Sequence, residues 1–130
     1  MNNYKKGYAL EHKTKQLLEK NGWLAMRSPA SKTPIDLMAT KDGSTVIIQC
    51  KKTTASDSMS ITELGPFVDL AKKHKALALL AYSFNGTPVY AKKVDCDRVA
   101  VKRIDKHVEL EKFLKIRDIQ TDDNMIITGE

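Results

Sequence analysis

The stretch Ile35-Asp36-Leu37-Met38-Ala39-Thr40-Lys41-Asp42-Gly43-Ser44-Thr45-Val46-Ile47-Ile48-Gln49-Cys50-Lys51-Lys52 decides how this chain is read. Asp42-Gly43 tolerates positive φ at both positions and so suits the two-residue loop of a β-hairpin. With that loop, Lys41 lies opposite Ser44, and counting outward sets Asp36 opposite Gln49. Directly opposed residues share a sheet face with Cβ atoms about 4.5–5.5 Å apart, and Lys51, two residues beyond Gln49, points the same way. A carboxylate, an amide oxygen and an ammonium are therefore expected to converge. A three-residue loop would send Gln49 to the other face, so the reading hangs on the turn.

Oxygen donors beside a cation on rigid strands suit a hard divalent ion acting on a phosphodiester. Asp36 is the anchoring metal ligand in this reading. Gln49 offers its amide oxygen and Cys50 its main-chain carbonyl, while Lys51 holds the phosphate or the attacking water. The plainer reading of Asp, Gln and Lys on strands is that they keep a sheet edge soluble.

Working outward, residues 8–21 carry Leu10, Leu17 and Leu18 at helical spacing, and Asn21-Gly22 ends the pattern as a C-cap does. Glu11 lies seven residues before Leu18, close to two turns, which sets it on or beside the buried stripe. If this helix crosses the open end of the hairpin, Glu11 adds a second carboxylate to the metal. Its plainer role is an exposed pair with Lys15. Residues 23–27 read as a short strand and 28–34 as a loop with two prolines.

After the hairpin, residues 53–60 read as a loop and 61–75 as a helix that Gly65-Pro66 starts or kinks. Residues 76–83 form an apolar strand, Asn85-Gly86 signals a hairpin, and 87–91 is its returning partner. Val99 and Val101, with Ile104, alternate as a strand, and 108–116 suggests a helix. Val46, Ile48 and Cys50 face one way and Ile47, Gln49 and Lys51 the other, so helices are expected on both sides of the sheet. The fold class is α/β: a mixed central β-sheet flanked by helices.

The 130 residues match one domain, 1–130, whose last twelve or so residues read as a tail. The net charge of +6 is spread along the chain, which favours a polyanionic partner. No signal peptide and no apolar run long enough for a membrane span are evident, so a cytoplasmic protein without a membrane partner is expected. Cys50 and Cys96 lack zinc-site spacing and read as free thiols. His12, His74 and His107 read as solvated, and Trp23 and Phe67 as core. Lys72-Lys73-His74-Lys75 reads as a helix end that favours cations.

The run Lys6-Gly7, Glu11, Leu17-Leu18-Glu19-Lys20, Gly22-Trp23, Arg27-Ser28, Ser31, Ile35-Asp36-Leu37 and Ile48-Gln49-Cys50-Lys51 resembles the archaeal Holliday-junction resolvases, members of the P-D-(D/E)-x-K nuclease superfamily. The resemblance covers the first half of the chain; residues 77–81 and 89–92 look like that family's later hairpin. It implies a restriction-endonuclease-like fold and catalytic roles for Glu11, Asp36 and Lys51, with Gln49 in the metal-ligand position. It also implies Mg²⁺ or Mn²⁺ as cofactor. Arg27 and Ser31 are expected near the DNA backbone, with Lys5, Lys6, Lys32 and Lys52 as further DNA contacts. Where the resolvases carry a metal-ligating glutamate this chain has Gln49, and Ile48-Gln49-Cys50-Lys51-Lys52 looks like the glutamine form of the motif in Mrr-type nucleases.

Three readings follow. The leading one is a Mg²⁺-dependent endodeoxyribonuclease that resolves four-way junctions as a homodimer, because a two-fold dimer presents paired sites to a nearly symmetric branch. Its partner surface is expected around Phe67, Leu70, Tyr82, Phe84 and Tyr90. The second is an Mrr-like or branched-DNA endonuclease without junction preference, and the third a DNA-binding module with a weakened site. A cellular repair enzyme and a viral or phage protein fit the sequence equally.

Overall fold

The computed structural model describes residues 3–28 and 33–116, with side chains at 8–28 and 33–115. Ser31, Lys32 and the expected tail lie outside the described residues, as do the side chains of Lys5 and Lys6. The elements run α1 (Asn3–Lys20), β1 (Leu24–Arg27), β2 (Leu37–Lys41), β3 (Ser44–Lys52), β4 (Ser58–Ile61), α2 (Gly65–Lys73), β5 (Leu77–Ser83), β6 (Tyr90–Lys93), β7 (Val99–Lys102), β8 (Val108–Glu109) and α3 (Leu110–Ile116). Six strands form one sheet in the order β1-β2-β3-β5-β6-β8, and β4 and β7 form a separate pair. β3 and β5 run parallel; the other pairings are antiparallel. This is the mixed, helix-flanked sheet expected from the sequence.

Leu10, Thr14 and Leu18 recur every four residues along α1 and are buried. The helix ends as its sequence predicts: Gly22 takes φ +90°, its N–H donates to Glu19 O (3.1 Å), and the Trp23 N–H donates to Leu18 O (3.0 Å). The first hairpin also has the expected register, from Lys41 opposite Ser44 to Leu37 opposite Ile48. Asp42 and Gly43 both have positive φ, 51° and 85°, the turn whose twist matches paired strands.

The two faces of β3 serve two cores. Val46 and Ile48, with Cys50 at the margin, pack against Leu10 and Leu18 of α1 and Leu110 and Leu114 of α3. Lys20 reaches Glu111 at 2.8 Å where those helices meet. Ile47 instead joins Phe67 and Val68 of α2, Leu80 and Tyr82 of β5, and Val99 and Val101 of β7. Burial on both sides anchors β3 as the sheet's central strand.

Several expectations are corrected. β4 occupies part of the segment read as a loop: Ser58-Met59-Ser60-Ile61 turns Ile61 inward against Val99, a partner far along the chain. Of the two options for Gly65-Pro66 the start is found: α2 begins there, four residues after Ile61, because proline fits the first helical turn where no N–H is needed. β6 begins at Tyr90, later than the residue after the Asn85-Gly86 turn. Ile104 lies outside β7 in a turn and is 89% exposed. Phe67, Tyr82 and Phe84 are buried within the chain's own core, so they do not form a partner surface.

His107 is not a solvated histidine. Its ring stacks on Tyr90 (centroids 4.4 Å apart), its Nδ1 meets the Tyr82 hydroxyl at 2.7 Å and its Nε2 meets Lys102 O at 2.9 Å. A carbonyl only accepts, so Nε2 carries the proton and the Tyr82 hydroxyl donates to Nδ1. The Tyr82 phenol, buried and beside Tyr90 and Asp105, is pushed up to about 12. No helix among the described residues is long and apolar enough to cross a membrane.

Candidate active site

Asp36 stands where the first hairpin opens. The β2–β3 ladder ends at Leu37 opposite Ile48, yet the Asp36 N–H also donates to Ile48 O at 2.9 Å. Two residues therefore face one, as in a bulge, and the chain turns away one step before Asp36 would oppose Gln49. Its carboxylate instead accepts a hydrogen bond from the Cys50 N–H through Oδ2 at 2.8 Å, and its carbonyl accepts from the Ser28 N–H at 2.9 Å. The cross-strand pair of Asp36 and Gln49 is thus replaced by a carboxylate in the plane of the sheet. The cause is the Cys50 N–H, a donor at the strand's free edge that a charge-assisted bond satisfies. In a strand the N–H and C=O of one residue point to the same edge, so the Cys50 carbonyl faces the Asp36 side.

Gln49 and Lys51 project to the Ile47 face, beside Leu80 and Tyr82, their register partners on β5. Gln49 is half-buried and Lys51 exposed. Pairing with β5 along one edge of β3 fixes both Cα positions, which a site needs from its scaffold.

Glu11 arrives from the opposite face on α1. Lys15 bonds to Glu19 at 2.8 Å and is not the partner of Glu11. Glu11 Oε1 accepts from both Nε (3.1 Å) and Nη2 (3.0 Å) of Arg27 on β1. The guanidinium lies 4.4 Å over the Tyr8 ring, which in turn stacks on His12. Arg27, expected as a backbone contact for DNA, is thus held between a carboxylate and an aromatic face. Tyr8 carried no signal in the sequence that would have assigned it this place.

The Cys50 thiol reports how these groups converge. Burial pushes its pKa up, the Asp36 charge pushes it further, and Glu11 adds to the rise; the Thr14 contact and Lys51 oppose it. Charges on Asp36, Glu11 and Lys51 thus all bear on one sulfur. The thiol stays protonated, with Sγ 3.9 Å from Thr14 Oγ1, and acts as packing under the site. Thr14 had a sequence signal, since it stands four residues from both Leu10 and Leu18. Among the described residues no group of three His, Cys, Asp or Glu side chains could hold a metal ion. The oxygen donors at hand are two carboxylates, the Gln49 amide and the Cys50 carbonyl, which suit a hard cation held with fewer charges than a three-carboxylate site.

The profile of the family described as "Archaeal holliday junction resolvase (hjc)" matches residues 2–122. The chain belongs to this resolvase family. "Crossover junction endodeoxyribonuclease Hjc" of Methanocaldococcus jannaschii is 30% identical over 88 residues, 67% of this chain and 65% of that protein. The match thus spans just under two thirds of that relative. The solved structure of Archaeoglobus fulgidus Hjc, described as a Holliday junction resolvase from an archaeal hyperthermophile, aligns with a TM-score of 0.69 over 84% of this chain and 95% of that one, at 17% identity. A bacterial homing endonuclease, I-Ssp6803I, aligns with a TM-score of 0.55 over 82% of each chain at 13% identity. These two likenesses concern the fold alone, and the fold is restriction-endonuclease-like.

Proposed function

We propose that this resolvase-family chain is a one-domain, divalent-metal-dependent endodeoxyribonuclease that resolves four-way DNA junctions as a homodimer by paired phosphodiester hydrolysis. The observation that carries the reading is the Asp36 carboxylate held on the Cys50 N–H at 2.8 Å, where the central strand delivers Gln49, a main-chain carbonyl and Lys51. Asp36, Glu11, the Gln49 amide oxygen and the Cys50 carbonyl are the ligands we assign to Mg²⁺, with Mn²⁺ as a substitute. The ion, when bound, supplies positive charge against the phosphate and acidifies water.

The chain's own groups do the positioning. The Cys50 N–H fixes the Asp36 carboxylate, and Arg27 fixes Glu11 through Oε1, which makes Oε2 the ligand oxygen. Lys51 holds a non-bridging phosphate oxygen from a strand that cannot shift. Lys5, Lys6, Ser31, Lys32 and Lys52 track the DNA backbone, a role in keeping with the net charge of +6.

For the second copy, the apolar face of β1 and β2 fits better than the aromatic residues named from sequence. Leu24, Met26 and Met38 are exposed large apolar side chains, and Met26 and Met38 are register partners. They continue into an open groove of about 440 Å³ lined by Ile35, Met38, Ile47, Leu70 and Ala76 among others. Such a patch in a basic protein fits a self-complementary interface between two copies. Met38→Asp is expected to yield monomers in sedimentation with an unchanged circular dichroism spectrum.

The test of the activity is cleavage of end-labelled four-way junction against matched linear duplex in Mg²⁺, Mn²⁺ and EDTA. Symmetric cuts in the junction, lost in EDTA, are the expected result. Linear duplex cut as fast would leave a nuclease without junction preference, and tight binding without a cut in any ion would leave a binding module.

A further inference from the structure

The turn that follows β7 presents an apolar side chain that neither core uses. The Asp105 N–H donates to Lys102 O at 2.9 Å, closing a tight turn over Arg103 and Ile104. The Lys102 N–H donates to Asp105 Oδ2 at 3.0 Å, and the Arg103 N–H donates to Asp57 O at 2.7 Å. His107 Nε2–H adds a bond to Lys102 O at 2.9 Å. Four hydrogen bonds thus hold a crest on which Ile104 is 89% exposed. Single exposed apolar residues are ordinary on protein surfaces. This one is set apart by its rigid mount and by Lys102, Arg103 and Lys106, exposed cations beside it. The acidic side chain of Asp105 is turned back onto the Lys102 N–H. An open cavity of about 630 Å³ lies along the turn, lined by Asp57, Ser58, Lys102, Arg103 and Ile104.

The crest stands at the same end of the sheet as the candidate active site. Lys51 is the register partner of Tyr82, the Tyr82 hydroxyl donates to His107, and His107 holds the Lys102 carbonyl. The β4–β7 pair also packs on the face to which Gln49 and Lys51 project, because Ile61, Val99 and Val101 share a core with Ile47, Leu80 and Tyr82. A polyanion seated on Lys51 therefore lies on the face of the sheet that carries the crest.

We propose that Ile104 is a wedge that enters between base pairs at the branch of a DNA junction, with Lys102, Arg103 and Lys106 gripping the flanking phosphates. This rests on the junction-cutting reading and adds a residue that selects branched over linear duplex. Apolar side chains inserted at a base step unstack it, and the step flanking a branch is already weakened, so insertion there is easiest. A turn whose backbone is already held by hydrogen bonds loses little conformational freedom on binding. The cations hold the backbone but do not read structure, so the discrimination falls to Ile104.

The test uses the full chain in EDTA with a four-way junction that carries 2-aminopurine at the branch, and a linear duplex of the same arms. The native protein is expected to raise the fluorescence on binding the junction. Ile104→Ala should abolish that rise and weaken junction binding about tenfold, with duplex affinity and melting temperature unchanged, and Ile104→Leu should restore both. Arg103→Ala should weaken both substrates and reduce the salt slope by about one phosphate. A full rise and native junction preference in Ile104→Ala would overturn the wedge while leaving the junction reading standing. A native protein that binds junction no better than duplex would remove both. Loss of dimer by Ile104→Ala in the absence of DNA would make the crest a protein contact and overturn the wedge.

Discussion

The two hairpins of the sheet carry turn dipeptides of the same type and close differently. Asp42 and Gly43 both take positive φ, so β2 and β3 pair from the first residue on either side of the turn. At Asn85-Gly86 the Thr87 N–H does bond to Phe84 O (3.2 Å), but only Gly86 has positive φ (79°). That is the type II pattern, whose twist opposes that of paired strands. Thr87 Oγ1 then accepts from the Phe84 N–H, Pro88 has no N–H to give, and pairing resumes only at Tyr82 opposite Tyr90. A tight turn transmits register to the far end of its hairpin; a loose one passes that task to the core.

The sharpest way to break this comparison is one extra glycine in each turn. Between Asp42 and Gly43 it shifts β3 by one against β2, exposing Val46 and Ile48 or burying Gln49 and Lys51. A loss of more than about 2 kcal/mol in urea unfolding, together with all cleavage, is expected. Between Asn85 and Gly86 the same insertion lengthens a connection that sets no register and should cost less than about 0.5 kcal/mol. Equal effects at the two turns would end the distinction.

Next in size is Asp36→Asn, at the open end of the first hairpin. Its amide oxygen still accepts from the Cys50 N–H, so the melting temperature should hold. Cleavage should fall at least about 100-fold, since even a group that merely supports a ligand is worth about 10–100-fold. A parallel loss of stability would show that Asp36 acts as a structural cap.

Gln49→Glu is expected to act in the opposite direction. It adds one negative charge to the donor set, and a charge pair at 4 Å is worth at most about 4 kcal/mol at an effective dielectric of 20. Half-maximal cleavage should need about tenfold less Mg²⁺, about 1.4 kcal/mol, read from a metal titration. An unchanged titration would place the amide outside the metal's reach.

The smallest effect is at the second hairpin and confined to alkaline solution. Because burial pushes the Tyr82 phenol up to about 12 while its unfolded value stays near 10, the unfolded chain loses that proton first as pH rises. The stability from the neutral phenol is fully present below about pH 10 and is lost from there through about pH 12. Tyr82→Phe should flatten this decline, seen as urea midpoints at pH 8 and pH 11. The native slope surviving in the variant would assign it to another group.

Much of the placement of the candidate site's residues was readable because its elements are local. The period of α1 set Glu11 beside the stripe of Leu10 and Leu18, and the Asp42-Gly43 turn brought Asp36 to the end of β3. Gln49 and Lys51 followed from alternation along one strand. Groups joined over long separations were not readable. Arg27 meets Glu11 only because α1 packs across β1, and β4 finds its partner in the distant β7. His107 finds its ring and hydrogen-bond partners only because Tyr82 and Tyr90 stand side by side. Each depends on packing that no window of neighbouring residues contains.

By itself the chain's order of residues determined the class of fold, the register of the first hairpin and the identity of the charged residues at its open end. Helical period, strand alternation and turn chemistry act within a few residues, and hydrophobic burial on both faces of β3 then leaves one arrangement. Only the tertiary structure decided that Asp36 caps the Cys50 N–H in place of opposing Gln49, and that Arg27 closes on Glu11. The same holds for the crest at Ile104, which stands at the end of the sheet that carries the candidate site. Those outcomes turn on satisfying polar groups at a strand end and on docking separate elements, and such demands exist only once the sheet and its helices have packed.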